Sequence, residues 1–190
     1  GPPGTGKTQL IAELCTKLCS EGKSVLITAL TNRALMEVAS KKVARELLKQ
    51  GNIYKSNLTV DEQKELSKLI PLKQILPIKG ALVMATYYVV SSFAVNLSDE
   101  GVFDVVIMDE ASQALLAMFA ASNKIGKRKL WVGDTAQLGP VLSLNDNRVK
   151  SNLFDDFKEG FRTLTTKRIY PTYQLTATFR LTQRSANYTG

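Results

Sequence analysis

The first eight residues restrict the fold of this chain more than anything after them: Gly1-Pro-Pro-Gly-Thr-Gly6-Lys7-Thr8. The spacing fits G-x-x-x-x-G-K-[ST], a loop whose glycines let the backbone curl until its N–H groups point at phosphate oxygens. Such a loop needs a helix directly after it, because the helix start brings its own positive dipole end to the same anion. In this pattern Lys7 supplies a mobile charge for the β- and γ-phosphates of a nucleoside triphosphate, and Thr8 a hydroxyl for magnesium. Gly1, Pro2, Gly4, Thr5, Gly6 and Gln9 complete the candidate nucleotide-binding set. A glycine-rich turn that binds nothing is the plain alternative, and the helical pattern over residues 7–20 argues against it.

Behind the loop, helical and apolar-strand patterns alternate almost throughout, the mark of an α/β domain built on a mainly parallel sheet with helices on both faces. Ser24–Leu30, Ala81–Ala85, Val102–Met108 and Lys129–Val132 read as strands, the long apolar runs among them as strands buried on both faces. Residues 33–50 read as one long helix, residues from Tyr87 as another, Ala111–Ser122 as a third, and 151–159 as a short one. Tyr173–Thr178 reads as a last strand. Residues 51–79 interrupt the alternation: Thr59 and Glu62 form a capping box for a short helix closed off by Pro71, and the stretch is expected to be an insertion on the surface of the core. At 190 residues the chain fits one domain.

Two further motifs follow in order. Val105-Val-Ile-Met-Asp109-Glu110 sets two carboxylates at the end of a buried strand, at the sheet edge where open α/β sheets bind ligands. Asp109 suits the magnesium side, usually through water, and Glu110 suits the orientation and deprotonation of an attacking water. Trp131-Val-Gly133-Asp134-Thr-Ala-Gln137-Leu-Gly-Pro140 ends a strand in Gly-Asp, with a glutamine whose amide can donate to a γ-phosphate. Alone, this last stretch would read as a Gly/Pro turn; behind the other two motifs, Asp134 and Gln137 become nucleotide-site candidates.

Taken together, the sequence resembles the first RecA-like domain, a P-loop NTPase fold, of a superfamily 1 DNA/RNA helicase. It is most similar to the branch that holds the nonsense-mediated-decay helicase, senataxin and the Dna-two-type nuclease-helicases. GPPGTGKT matches motif I, ALTNRA at 29–34 motif Ia, ATYYVV at 85–90 motif Ic, MDEASQA at 108–114 motif II, VGDTAQLGPV at 132–141 motif III, and LTATFRL at 175–181 motif IV. The resemblance implies ATP and magnesium as cofactors and an ATP-hydrolysing motor acting on single-stranded DNA or RNA. It implies that Arg180 reaches the γ-phosphate, that Phe179 stacks on the adenine, and that Gln113 couples the nucleotide to a second RecA-like domain. It implies contacts from Thr31, Asn32 and Thr86 to a nucleic-acid backbone; helix capping by Thr31 or Asn32 and a polar strand end at Thr86 remain equal alternatives. Thr178 stands where the family has Gln, and Leu181-Thr182-Gln183 where it has Met-His-Pro. The strand before motif I and the second domain with its own arginine are expected to be missing from residues 1–190. With Lys7, Glu110, Gln137 and Arg180 as the catalytic set, these residues alone are expected to bind nucleotide better than they hydrolyse it.

Composition sets outer bounds. Net charge is +8, which permits a polyanionic partner and equally a solvated basic surface. There is no histidine, so histidine acid–base chemistry and His-ligated zinc are excluded within the chain. Cys15 and Cys19 lie one helical turn apart beside an apolar stripe and read as buried thiols, which suits a reducing compartment, cytoplasmic or, in a eukaryote, nuclear. No apolar run is long enough for a membrane span, and no membrane association is expected. Two other classes compete with the motor. One is a non-translocating P-loop enzyme, such as an AAA-type ATPase or a small-molecule kinase, against which Gly133-Asp134-x-x-Gln137 and Phe179-Arg180 argue. The other is a nucleotide-binding scaffold, against which the full set of reactive residues argues.

Overall fold

The long apolar runs of the sequence occupy the middle of a single sheet. In the computed structural model, which describes residues 6–134, 139–140, 155–166 and 170–175, six strands are present: β1 (Val25–Ala29), β2 (Ile53–Ser56), β3 (Ile70–Leu72), β4 (Leu82–Thr86), β5 (Phe103–Met108) and β6 (Gly126–Trp131). They lie in the order β3-β2-β4-β1-β5-β6, and every pairing is parallel. The helices are α1 (Lys7–Ser20), α2 (Asn32–Ala39), α3 (Arg45–Lys49), α4 (Val60–Glu65), α5 (Tyr87–Val95), α6 (Leu116–Ile125), α7 (Asp155–Lys158) and α8 (Gly160–Thr166). This is the α/β architecture that the alternation predicts.

All five residues of β1 are buried, because the strand period of two sends successive side chains to opposite faces and both faces are covered. Val25, Ile27 and Ala29 join Leu82, Met84, Val105 and Ile107 in a core closed by Ile11, Cys15, Leu35 and Val38 of α1 and α2. Leu26, Val83, Ala85 and Val106 face the other way, against Val90, Ala94, Ala121 and Ile125 of α5 and α6. Each such aliphatic side chain contributes about 1.5–3 kcal/mol by leaving water. A third cluster at the carboxyl end gathers Tyr87, Met108, Ala111, Met118 and Phe119, with Trp131 and Phe161 packed against it.

Several expectations need correction. Residues 51–79 do not sit on the core as a surface insertion; they supply β2 and β3 and so extend the sheet by two strands. Pro71 lies in the edge strand β3, where one side of the backbone needs no partner, and α4 ends earlier, at Glu65. The capping box of Thr59 and Glu62 is present. The helix expected over 33–50 is broken: α2 stops at Ala39, the Ser40 hydroxyl donates to the Glu37 carbonyl, and Lys41 turns extended. Side-chain competition of this kind loosens a helix end, and the bend lets Ala44 and Leu47 reach the core. The helix expected over Ala111–Ser122 is a single turn at 111–113, an extended Ala114, and then α6. Tyr173–Gln174–Leu175, the described part of the expected last strand, forms no strand.

Candidate functional site

The described ends of motif I (Gly6–Thr8), motif II (Asp109, Glu110) and motif III (Gly133, Asp134) come together at the carboxyl edge of the sheet. Gly6 opens α1 with φ 75°, in the left-handed region that glycine enters without strain, and Lys7 follows as the first helical residue. The Lys7 ammonium lies 3.8 Å from the Asp134 carboxylate, with the Lys7 side chain 18% and that of Asp134 6% exposed. Asp109, directly after β5, is buried; its main-chain N–H donates to the Thr28 carbonyl and one carboxylate oxygen accepts from the Glu110 N–H. Burial pushes the Asp109 carboxyl up, while the Glu110 N–H and the Lys7 charge pull it back.

Glu110 stands in the left-handed region, φ 55° and ψ 32°, a conformation that costs a non-glycine residue roughly 1 kcal/mol or more. The turn is held by Ala111 N–H on the Val132 carbonyl and Val132 N–H on the Met108 carbonyl. Burial first, then Asp109 and Glu37, raise the Glu110 carboxyl above its ordinary range. Among the described residues the Glu110 Oε2 and Ser112 Oγ atoms are buried without a hydrogen-bond partner. An orphaned buried acceptor costs about 1–3 kcal/mol, so such atoms are suited to a ligand or an ordered water. Gly133 explains the Gly-Asp of motif III: a Cβ there would meet the Ser112 nitrogen at 2.8 Å and the Phe161 ring at 3.0 Å.

The other candidates divide. Thr8 and Gln9 stand on the first turn of α1, and the Gln9 amide donates to Glu13 one turn on. Thr31 caps α2 by accepting from the Ala34 N–H, the capping alternative that the sequence left open. Asn32 is exposed, and its carbonyl oxygen accepts from Lys55. Thr86 precedes α5 without making a side-chain cap. Thr86 pairs in register with Ala29, the last residue of β1, two residues before Thr31. Gln113 is half-buried in the turn after Glu110. Gly1, Pro2, Gly4, Thr5, Gln137, Phe179 and Arg180 lie outside the described residues.

Sequence reasoning missed three residues. Glu37, on α2, faces the carboxylate pair and raises both acids. Lys55 is fully buried, with its ammonium on Glu62 at 3.0 Å and on Asn32 at 3.0 Å; a lysine inside a short polar run gives no signal of burial. Tyr87 is 1% exposed, and its hydroxyl donates to the Asp109 main-chain carbonyl; nothing separates it in sequence from the exposed Tyr88.

Comparison with known proteins places the chain in a family. A family described as "AAA domain" matches residues 1–143. The chain is 33% identical over 172 residues to the DNA replication ATP-dependent helicase/nuclease DNA2 of Saccharomyces cerevisiae, covering 84% of this chain and 11% of that protein. It is 29% identical over 154 residues to the Homo sapiens protein of the same name, covering 75% of this chain and 14% of that one. The chain therefore spans only a small part of the length of these relatives. The chain belongs to the AAA domain family, and it is a RecA-like domain of the superfamily 1 helicase type.

Proposed function

We propose that this domain binds ATP with magnesium and forms the first half of a motor that hydrolyses ATP to move along single-stranded DNA or RNA. The observation that carries the reading is the convergence at one sheet edge of the Lys7–Asp134 pair with Asp109 and Glu110, the last with an orphaned buried oxygen. The relatives named as ATP-dependent helicases support it.

Lys7 and the amino end of α1 hold the phosphates, and Asp134 keeps the lysine in place before they arrive. Gly1, Pro2, Gly4, Thr5, Gly6 and Gln9 belong to the same loop and helix start. Thr8 and Asp109 would hold magnesium; the donor set around it is all oxygen, which suits a hard cation that takes one or two protein ligands and the rest from water and phosphate. Among the described residues no cluster of three or more His, Cys, Asp or Glu forms a cage, in keeping with that mode. Bound there, magnesium would neutralise charge developing on the phosphate oxygens. Glu110 accepts a proton from the attacking water, and its raised proton affinity strengthens it as a base. Gln137 and Arg180 are assigned to the γ-phosphate, Phe179 to the adenine and Gln113 to the coupling with a second RecA-like domain. Thr31, Asn32 and Thr86 line one edge and offer uncharged donors to a phosphate backbone, contacts that fix position and carry no sequence code.

Among the described residues no helix is long and apolar enough to cross a membrane. A reducing compartment, cytoplasmic or nuclear, fits the two free cysteines. The test is an ATPase assay of the whole protein with and without single-stranded DNA or RNA, together with a salt titration of binding. Stimulation by either polymer, with affinity falling steeply as salt rises, is the expected result. No binding at low salt would leave a nucleotide-switched scaffold as the better account.

A further inference from the structure

Three consecutive residues at the β4–α5 junction have three different environments. Thr86 ends the strand at the carboxyl edge and makes no cap bond. Tyr87 is buried in the third cluster among Met108, Ala111 and Met118. Tyr88 is 66% exposed. β4 and β5 are not neighbours, since β1 lies between them. The Tyr87 side chain therefore reaches past the end of β1 to place its hydroxyl on the Asp109 carbonyl.

That carbonyl belongs to the peptide that joins Asp109 to Glu110. Its N–H is held by the Asp109 carboxylate, and its oxygen by Tyr87. Glu110, immediately after it, is the residue in the left-handed conformation. A strained residue keeps such a conformation only when its surroundings over-determine it, and the phenol is one of the bonds that do so.

We propose that Tyr87 is a positioning residue that couples polynucleotide held at Thr86 to the orientation of Glu110. Resting on the nucleic-acid reading of Thr86 given above, the coupling works through one backbone step. A phosphate bound by the Thr86 hydroxyl fixes the start of α5, the start of α5 fixes the phenol, and the phenol fixes the Asp109–Glu110 peptide. Without polynucleotide the start of α5 is less constrained, and Glu110 is less well aimed.

The experiment is a double-variant cycle in the whole protein, with Tyr87→Phe, Thr86→Ala and the pair, read as kcat and KM for ATP at saturating single-stranded DNA or RNA and as polynucleotide Kd. Tyr87→Phe keeps the ring and removes one hydroxyl. It is expected to lower stimulated kcat about tenfold, the rate equivalent of roughly one hydrogen bond, with KM and Kd unchanged. Thr86→Ala is expected to weaken Kd and, at saturation, to lower kcat as well. The two kcat effects are expected not to multiply, because both break one line of contacts. If Thr86→Ala leaves Kd unchanged, the nucleic-acid reading of Thr86 fails and the coupling falls with it. If Kd weakens but kcat at saturation is untouched, or the kcat effects multiply, the coupling is overturned while the nucleic-acid reading stands. Should Tyr87→Phe not fold, Thr86→Ala at saturation decides alone, by whether kcat falls.

Discussion

Lys7 and Asp134 stand 3.8 Å apart, which ties the start of α1 to the strand end after β6 and holds the ammonium where the proposed reading needs it. Replacing Lys7 by Ala removes a cation that pairs with Asp134 and whose charge acts on Asp109. ATP affinity, measured by calorimetry, is expected to fall about hundredfold or more, as loss of charge-assisted hydrogen bonds to phosphate requires. An unchanged affinity would remove Lys7 from the site.

Glu110→Gln keeps the shape of the turn and removes the carboxylate proposed as the base. Nucleotide binding is expected to persist while turnover of the whole protein falls about 10²–10⁴-fold. Single-turnover kinetics separate the two, and a variant with unaltered turnover would contradict the assignment.

At the opposite edge of the sheet Asp104 accepts from Lys79, Lys127 and both the N–H and hydroxyl of Ser24. The Lys79 ammonium, then the Ser24 N–H, hold its carboxyl well below the usual carboxylate range. A depressed acid stabilises the fold above its unfolded value, near 4, and the contribution disappears as pH falls from there towards the folded value. Asp104→Asn is expected to cost about 1–2 kcal/mol at neutral pH and to flatten the acid limb of thermal stability. A variant that tracks the native protein through acid would show that the cluster contributes nothing.

The thiols behave in the opposite sense. Burial pushes Cys19 up to about 12 and Cys15 further still. Both stay protonated in the folded state while unfolded thiols ionise near 8.5. Their contribution is complete below that pH and is lost as pH rises towards the folded values. At pH 8 a thiol reagent is expected to label neither cysteine in the native protein and both after denaturation; rapid native labelling would place them at the surface.

The central strands were legible because burial on both faces leaves an unbroken apolar run, as in Val105-Val-Ile-Met. The nearness of Lys7 to Asp134 and Asp109 was legible because the three lie in motifs whose spacing and order are fixed. β2 was not legible: Ile53-Tyr-Lys-Ser carries a charge in a strand that pairs on both sides, and only the partners of Lys55, Glu62 and Asn32, explain its burial. The breaks after Ala39 and at Ala114 depend on tertiary packing, which no local pattern encodes. Tyr87 was invisible for a similar reason, since its role depends on which carbonyl it reaches across β1.

The placement of β2 also decides how this domain can be pruned. Asn52 supplies the carbonyl for the Leu82 N–H, and Ile53, Tyr54 and Lys55 run alongside Leu82, Val83 and Met84. Excising residues 51–79 to obtain a smaller domain would strip the hydrogen-bonding edge from a strand that forms part of the core. It would also leave Asn32 without the ammonium that orients it. A shortened version would have to end its cut before Asn52 or begin it after Ser56, keeping this strand as part of the frame.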